Sequence, residues 1–357
     1  MPFSRNLGTS TTLPPDAAER VASLFADKVV LVTGGTGSIG REIVNQTLKL
    51  SPKAVRVFSR GEEKQFLMQS DLGDRSDVRF LIGDVRDGAR VSYAMKDVDI
   101  VIHAAAMKHV PASEYNPMEA VKTNVDGTQN VIMAALERNV PRFTLISTDK
   151  VVNPVNTMGA TKLLAEKLVV AANRYRGSAK TAFSVVRFGN VMGSSGSVIP
   201  LFASQISQGK DLTLTDPAMT RFIMTIPTAA NLVLSATARA SEGDTFVLKM
   251  PTVHIKTMAQ WLIDDYAAAG HVYAGKLVTS GARPGEQLHE RLMTTTEAAR
   301  AWEDDHMYLI PPEGLPKRQV GAPWNPAAEV VHSSHLGQTI SRGRFLRSVH
   351  ELGIVPW

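Results

Sequence analysis

The feature that most constrains this chain is a glycine-rich turn between a short apolar run, Val29–Thr33, and a segment with helical periodicity. The turn consists of Gly34, Gly35, Thr36, Gly37, Ser38, Ile39 and Gly40. Glycines permit a tight turn and close approach of a pyrophosphate, and the helix N-terminus offers unpaired N–H groups and a positive dipole end. In this context the motif predicts a dinucleotide-binding site, although a purely structural turn has the same composition.

From Lys28 to about Gly189, short apolar runs alternate with helical segments. The predicted strands are Val29–Thr33, Ala54–Phe58, Val78–Ile82, Ile100–His103, Phe143–Ser147 and Ala182–Phe188. The predicted helices are Ser38–Leu50, Glu62–Asp71, Arg86–Met95, Pro117–Asn139, Thr157–Tyr175 and Ile199–Gln208. This alternation predicts βαβ units with right-handed crossovers. We therefore expect an α/β fold, a Rossmann-type doubly wound parallel sheet with a smaller C-terminal substrate-binding region.

We divide the chain into three parts. Residues 1–27 form an N-terminal extension with a predicted helix at Asp16–Ala26. Residues 28–190 form an NADP-binding Rossmann domain, and residues 191–357 are mainly a substrate-binding region that can return strands or helices to it. That last part contains the predicted elements Thr245–Lys249 and Thr257–Ala269, and is loop-rich after Pro311.

Composition excludes several classes of protein. The chain has no cysteine, which rules out disulfides and thiolate catalysis, and its nine histidines lack ligand spacing, so we expect no metal site. A net charge of +5 without blocks of like charge predicts no nucleic-acid partner. No apolar run approaches the roughly 20 residues of a membrane helix. No signal-peptide pattern is visible, so we expect a soluble, cytoplasmic protein that does not contact a membrane.

The end of the second strand indicates which cofactor is bound. NAD sites usually place an acidic residue there, whereas this sequence has Ser59 and Arg60, with Lys64 one helical turn on. A planar guanidinium can pair with a 2′-phosphate. We therefore predict NADP, with NAD as the alternative if Arg60 and Lys64 are only solvated surface charges.

Two further clusters follow the third and fourth strands. Asp84 and Val85 follow the third strand, where a carboxylate can accept a hydrogen bond from adenine. The small residues Ala104, Ala105 and Ala106 follow the fourth, where a dinucleotide can lie flat over the sheet edge. Neither cluster is specific alone, but both fit a cofactor at the carboxyl ends of the strands.

Beyond the turn, ordered motifs resemble a known family. They are TGGTGSIG from Thr33, GDVRD from Gly83, HAAAMKHVPASEYNPMEAVKTNVDGTQNV from His103, STDK from Ser147, NP from Asn153, MGATK from Met158, RFGNV from Arg187, GSVIP from Gly196, MTRF from Met219 and RPGE from Arg283. The chain resembles the extended short-chain dehydrogenase/reductases, in particular the UDP-N-acetylglucosamine 4,6-dehydratases of bacterial surface-sugar pathways. The resemblance extends from about Lys28 to Leu292 and is to a short form without the membrane helices of many members.

The resemblance implies a 4,6-dehydratase acting on a UDP-N-acetylhexosamine. In this family NADP accepts a hydride from C4 of the sugar, water is eliminated across C5 and C6, and the hydride returns to C6. It implies that Asp149 is the acid at C6, Lys150 the base at C5, and Thr148 a hydrogen-bond partner of the C4 oxygen. These residues follow a parallel strand, where such folds bind ligands, although an adjacent Asp and Lys can also be a surface ion pair.

Met158 departs from the wider superfamily, which has Tyr-x-x-x-Lys where this chain has Met158-x-x-x-Lys162. Methionine has no ionisable proton, so it is not the base for the C4 hydroxyl. Lys162 lies on the same helical face and is expected to orient the nicotinamide ribose. The C4 base is then Asp149 or a water-mediated route, and both remain open.

The resemblance also implies further ligand contacts. Asn124 falls at a cofactor-binding position, and the expected substrate-binding residues are Lys108, Asn190, Val198, Arg221, Arg283 and Glu286. Arginine suits a diphosphate because it binds two oxygens at once. Structural roles compete with these assignments, since Asn190 can cap a loop and Arg283 can pair with Glu286.

Two other functions stay open on the sequence, a nucleotide-sugar 4- or 5-epimerase and a non-catalytic NADP-sensing regulator. A 4-epimerase needs no C6 acid and usually keeps the tyrosine, whereas a regulator needs none of the motifs after Gly189. By analogy with the superfamily we expect a UDP-sugar as the substrate and a homo-oligomer, a dimer or larger. The sugar and the configuration at C5 are also left open.

Overall fold

In the computed structural model, the described residues are 15–241, 243–281, 283, 285–313, 323–328 and 330–357. Much of the predicted N-terminal extension, residues 1–14, lies outside them. The α-helices are α1 (Pro15–Phe25), α2 (Ser38–Thr47), α3 (Glu62–Leu72), α4 (Gly88–Ala94), α5 (Val110–Tyr115), α6 (Pro117–Val121), α7 (Gly127–Glu137), α8 (Thr157–Tyr175), α9 (Val198–Ser207), α10 (Ile226–Arg239), α11 (Ile255–Ala268), α12 (Thr295–Ala298) and α13 (Arg342–Glu351).

The strands divide between one large sheet and smaller ones. They are β1 (Val29–Thr33), β2 (Ala54–Ser59), β3 (Val78–Ile82), β4 (Ile100–His103), β5 (Arg142–Ile146), β6 (Ala182–Arg187), β7 (Asn190–Met192), β8 (Leu212–Leu214), β9 (Thr220–Thr225), β10 (Thr245–Leu248), β11 (Thr252–His254), β12 (Leu277–Thr279), β13 (Trp302–Glu303), β14 (Met307–Ile310) and β15 (Asn325–Pro326). Short 3₁₀ turns lie at Leu48–Leu50 and Asp149–Val151.

A ten-stranded sheet with the order β15-β13-β14-β10-β6-β5-β4-β1-β2-β3 carries the fold. Strands β1 to β6 and β10 pair in parallel, and β14 returns antiparallel to β10. The strand order reverses at β1 and β4, which is where doubly wound sheets open a ligand crevice. The predicted Rossmann-type α/β fold is confirmed.

Both faces of the parallel strands are covered, which explains their unbroken apolar character. All five residues of β1 are buried. On one face, α2 packs against α10 from the C-terminal part of the chain, and their apolar residues join one core. On the other face, α4, α7 and α8 form a second core with Val131 and Val169. The parallel sheet is thus a three-layer unit to which residues after 191 contribute both strands and a helix.

The predicted continuous helix Pro117–Asn139 is interrupted. Between α6 and α7, residues Lys122–Asp126 form a π-helical turn. Within it, the buried Asn124 side chain bonds to the backbone of Met107 and to the hydroxyl of Thr161. A wider turn lets this amide reach the loop after β4, and π-turns of this kind are common near functional sites.

The segment after Pro311, predicted to be loop-rich, contains α13. Phe345, Ser348 and Val349 of this helix are buried, Leu346 is partly buried, and most of the other residues are charged. Phe345 packs on Trp261 of α11 with ring centroids 5.6 Å apart. Helix α13 closes a third core that also includes α9 and α11, beside the sheet formed by β7, β9 and β11.

A buried ion pair joins the parallel sheet to the C-terminal region. At the end of β6, the guanidinium of Arg187 contacts Glu166 of α8 at 2.7 Å and Glu297 of α12 at 2.9 Å. All three charges are largely withdrawn from solvent, so each carboxylate depends on this arginine for compensation.

We predict that Arg187→Ala lowers the free energy of unfolding by about 3–5 kcal/mol, because it leaves buried carboxylates without their cation. Urea unfolding monitored by tryptophan fluorescence measures the loss. The matched control is Arg75→Ala, which removes an exposed pair with Asp77 and is expected to cost no more than about 1 kcal/mol. Equal losses in the two variants would contradict this account.

Candidate active site

The glycine-rich turn has the geometry that a dinucleotide requires. Gly34 adopts φ +66°, and a Cβ there would lie 2.7 Å from the backbone nitrogen of Ala105. A Cβ on Gly40 would overlap the carbonyl oxygen of Gly34. Helix α2 begins at Ser38, and no side chain caps its first turn. Its first N–H groups therefore point toward the space where a pyrophosphate would bind, so the turn fits the predicted cofactor.

The predicted adenine-end residues lie together, but several are already paired. The Arg60 side chain is 62% exposed, and its Nη1 lies 3.8 Å from Asp84 Oδ2. Arg86, which was not predicted, donates to the same oxygen at 2.7 Å. Burial works to raise the pKa of Asp84, but hydrogen bonds from Arg86 and the charge of Arg60 outweigh it and lower that pKa. Lys64 is exposed, Val85 is buried, and the Ser59 hydroxyl accepts from Gln65 at 3.0 Å.

The loop after β4 lies against the glycine-rich turn. Ala104 and Ala105 are partly buried and Ala106 is exposed. The Asn124 amide accepts from Met107 N at 2.8 Å and donates to Met107 O at 3.0 Å. It therefore holds this loop, and its predicted contact with the cofactor would have to coexist with these bonds.

Lys108, a predicted substrate-binding residue, contacts a loop of the C-terminal region. Its Nζ donates to the Ser195 carbonyl at 3.0 Å, and it is absent from the described residues that line the cavity to which Lys150 and Arg221 contribute. The Ser195 N–H in turn donates to Ser38 Oγ at 3.1 Å. These bonds tie a loop of the C-terminal region to the glycine-rich turn.

A buried cluster of charges follows β5. In the 3₁₀ turn Asp149–Val151, Lys150 Nζ lies 3.0 Å from Asp149 Oδ1 and 2.8 Å from Oε1 of Glu290. The Thr148 hydroxyl donates to Asp149 Oδ1 at 2.8 Å. Asp149 is 1% exposed, and among the described residues its Oδ2 has no hydrogen-bond partner. The predicted acid and base are thus in contact, and the surface-pair interpretation does not fit their burial.

Glu290 was missed by the sequence analysis. Its Oε2 accepts from Asn190 Nδ2 at 2.7 Å, and its Oε1 lies 3.4 Å from Arg221 Nε. It is 4% exposed and joins two predicted substrate-binding residues to Lys150. The only indication in the sequence was that Glu290 lies four residues after Glu286, the residue that ends the RPGE motif.

Burial and mutual charge shift the pKa values in this cluster. Burial, followed by the charge of Glu290, raises the pKa of Asp149 to about 7, against the opposing effect of Lys150. Burial alone would raise the pKa of Glu290, but Lys150 and Arg221 lower it to about 2. Burial opposes protonation of Lys150, yet the two carboxyls raise its pKa above the ordinary range. The cluster therefore contains an ammonium, an ionised Glu290 and a carboxyl that can hold a proton near neutrality.

Helix α8 supports the cluster from the other side. Lys162 Nζ donates to the Ile146 carbonyl at 2.6 Å, and burial lowers the pKa of this lysine to about 8. Met158 is 4% exposed. A Cβ on Gly159 would overlap the Lys150 carbonyl oxygen, so a glycine is needed where α8 meets the 3₁₀ turn Asp149–Val151.

The predicted substrate-binding residues, other than Lys108, meet in one cavity of about 310 Å³. Its lining includes Lys150, Asn190, Val198, Arg221, Arg283, Glu286 and Glu290. The Arg221 guanidinium is held by the carbonyls of Thr220 and Leu288 at 2.8 and 3.1 Å. Glu286 accepts from the backbone N–H of Arg283 at 3.4 Å.

The described residues contain no group of three or more His, Asp or Glu side chains placed to hold a metal ion. Among the described helices, none is both long and apolar enough to cross a membrane.

A parallel sheet that brings a glycine-rich turn and a lysine-bearing helix to one edge is the arrangement of the extended short-chain dehydrogenase/reductases. Within that class, the chain belongs to the family described as polysaccharide biosynthesis protein, whose model matches residues 30–312.

Three similar proteins narrow the class. Over 291 residues the chain is 45% identical to a UDP-N-acetylglucosamine 4,6-dehydratase (inverting) of Campylobacter jejuni, covering 81% of this chain and 84% of that one. It is 43% identical over 295 residues to a UDP-glucose 4-epimerase of Rickettsia rickettsii, covering 82% and 85%. The X-ray structure of Pen from Bacillus thuringiensis matches with a TM-score of 0.85 and 41% identity, covering 93% of this chain and 99% of that one. The chain is therefore a nucleotide-sugar-modifying enzyme.

We predict that Gly34→Ala weakens dinucleotide binding at least roughly tenfold, because the new Cβ meets the Ala105 backbone and the left-handed conformation is strained. Isothermal titration with NADP measures the affinity. The control is Gly343→Ala on α13, where a Cβ meets nothing within 4 Å. Wild-type affinity in Gly34→Ala would show that the turn does not bind the dinucleotide.

Proposed function

We propose that this protein is an NADP-dependent UDP-N-acetylhexosamine 4,6-dehydratase, with UDP-N-acetylglucosamine as its substrate. The observation that carries the proposal is the contact between Asp149 and Lys150 beside the cavity, with Met158 in the usual tyrosine position. A dehydratase needs an acid and a base at adjacent carbons, and groups whose surroundings separate their pKa values suit those roles.

A bound nicotinamide would supply the hydride chemistry, taking a hydride from C4 and returning it to C6, while the C4 hydroxyl proton leaves by the water-mediated route. Thr148 holds the C4 oxygen, and Asp149 gives a proton to the C6 hydroxyl as water leaves. Lys150 takes the C5 proton. Because its Nζ lies within hydrogen-bond distance of two carboxyls, Lys150 becomes a base when one of them accepts its ammonium proton.

The substrate's nucleotide would lie along the rest of the cavity. Arg221 is fixed by two backbone carbonyls, so its guanidinium is oriented before a diphosphate arrives. Arg283, Asn190, Val198 and Glu286 line the same cavity, and Glu286 would bond the nucleoside ribose. This placement supports a nucleoside diphosphate sugar as the ligand class.

A 4-epimerase is the second candidate, because one of the similar proteins carries that name. Epimerisation returns the hydride to C4 and needs no acid at C6. The raised pKa of the Asp149 carboxyl and the apolar Met158 side chain favour dehydration instead. The product mass separates the two reactions, since only dehydration loses one water.

We expect the wild-type protein, given UDP-N-acetylglucosamine in deuterated water, to form a 4-keto-6-deoxy sugar with deuterium at C5. Proton NMR of the product reports the reaction, the sugar and the C5 configuration together. Lys150→Ala should reduce elimination at least about 1,000-fold while the dinucleotide stays bound, since it removes the C5 base. The exposed Lys49→Ala serves as control. An unchanged Lys150→Ala rate, or a product of unaltered mass, would contradict the assignment.

For cofactor choice, we expect Arg60→Ala to weaken NADP binding about 10- to 100-fold and NAD binding much less, because a guanidinium pairs with the 2′-phosphate. Titration of both dinucleotides into both proteins measures the ratio. Arg79→Ala, on the exposed side of β3, is the control for loss of one positive charge. A similar loss for NAD and NADP would mean that Arg60 does not select the cofactor.

A further inference from the structure

The buried cluster after β5 contains two carboxyls for one ammonium. Asp149 and Glu290 are both buried, and both contact Lys150 Nζ, at 3.0 and 2.8 Å. A single ammonium compensates one negative charge, and a second uncompensated carboxylate in a buried site is costly. One of these carboxyls is therefore expected to favour its protonated form.

The hydrogen-bond partners indicate which carboxyl stays ionised. Both oxygens of Glu290 have donors, from Lys150 and from Asn190, and the Arg221 guanidinium adds a second positive charge. Asp149 has donors on Oδ1 alone, and its buried Oδ2 has no partner among the described residues. A carboxylate with several donors is stabilised in its charged form, whereas one with a bare buried oxygen favours the neutral form.

We propose that Glu290 supplies the negative charge that keeps a proton on Asp149, and that this makes Asp149 the acid of the elimination step. The first half of this inference concerns the protein alone, and the second half rests on the proposed dehydratase function. Glu290 is then a positioning residue for a proton, acting through Asp149.

The charged neighbours of the pair support this assignment. Asp149 faces Glu290 and Lys150, and its remaining polar contact is the Thr148 hydroxyl. Glu290 faces Lys150, Arg221 and Asp149, and its backbone N–H is held by Ser334 Oγ at 3.0 Å. Beyond Arg221 lies His289, whose pKa is lowered by burial and then by His335 and Arg221, which favours the neutral ring. The negative charge closest to Asp149 is therefore that of Glu290.

In the elimination step, each proton and each electron pair has a destination. Asp149 donates its proton to the C6 hydroxyl oxygen, the C6–O bond breaks with its electron pair on oxygen, and water leaves. As Asp149 gives up this proton, Lys150 passes its ammonium proton to Asp149 Oδ1, 3.0 Å away, and the resulting amine takes the C5 proton. The electron pair of the C5–H bond forms the new C5–C6 double bond. Without the Glu290 charge, Asp149 would pair with Lys150 as a carboxylate and have no proton to give.

Titration of Asp149 tests the inference without any substrate. Protein carrying isotope-labelled aspartate is titrated by carbon NMR, and the Asp149 signal is identified by its loss in Asp149→Asn. In the wild type we expect a midpoint near pH 7, following the pKa raised by burial and Glu290. In Glu290→Gln, which keeps the shape and the Asn190 contact, the midpoint should fall by at least about one pH unit.

Two variants serve as controls. Glu290→Asp keeps the charge and should hold the midpoint within about half a pH unit of the wild type, whereas Glu286→Gln removes a more distant negative charge from the same cavity and should leave it unchanged. A wild-type midpoint near 4, the ordinary aspartate value, would overturn the inference even if Glu290→Gln fails to fold. So would an unshifted midpoint in a folded Glu290→Gln protein.

Kinetics then test the catalytic half. Activity that needs protonated Asp149 declines as pH rises through its pKa, so the alkaline limb should move to lower pH in Glu290→Gln. At pH 7.5 we expect at least about a tenfold loss of elimination, with reduced cofactor still forming from C4 oxidation. An unmoved limb would remove Asp149 from the acid role. If the wild type does not dehydrate the sugar at all, the proposed function fails, while the titration still decides the role of Glu290.

Discussion

The arrangement of this site depends on accommodating three ionisable groups inside the protein. Glu290 is brought to Lys150 and its neighbour Asp149 from 140 residues beyond Lys150 in the sequence. Buried charges lose their hydration, so they are tolerated only where each has partners in good geometry. The segment that contains Glu290 must therefore pack against the end of β5. The residues that separate Lys150 from Glu290 in the sequence must form elements that allow this packing.

The sheet topology provides these intervening elements. The Asp149 N–H donates to the Phe188 carbonyl at 3.1 Å, which links the 3₁₀ turn Asp149–Val151 to the chain just after β6. From there β7 leads into the small sheet with β9, so Asn190 and Arg221 approach the cluster from adjacent strands. Residues 245–248 and 307–310 return to the parallel sheet as β10 and β14. The substrate-facing region is consequently built onto the dinucleotide fold and shares its core.

Local signals were sufficient for the parallel part of the fold. Strands β1, β3 and β4 and helix α8 have the predicted bounds, because buried parallel strands are apolar throughout and the glycine-rich turn marks the first crossover. Periodicity did not predict the π-turn around Asn124 or the helix that contains Phe345. Each depends on contacts with residues that are distant in the sequence. Thr148, Asp149 and Lys150 could be proposed from motifs. Glu290 could not, because a single acid in a loop becomes significant only when Lys150 lies beside it.

Helix α8 has a mechanical consequence. Its first turn abuts the Lys150 carbonyl at Gly159, and the Asn156 side chain before it holds the Gly285 carbonyl at 2.8 Å. One turn later Lys162 is fastened to the end of β5. Helix α8 thus contacts Lys150 through Gly159 and holds Lys162 at the end of β5, so one rigid element fixes the relative positions of the two lysines. A shift of this helix would displace both lysines together.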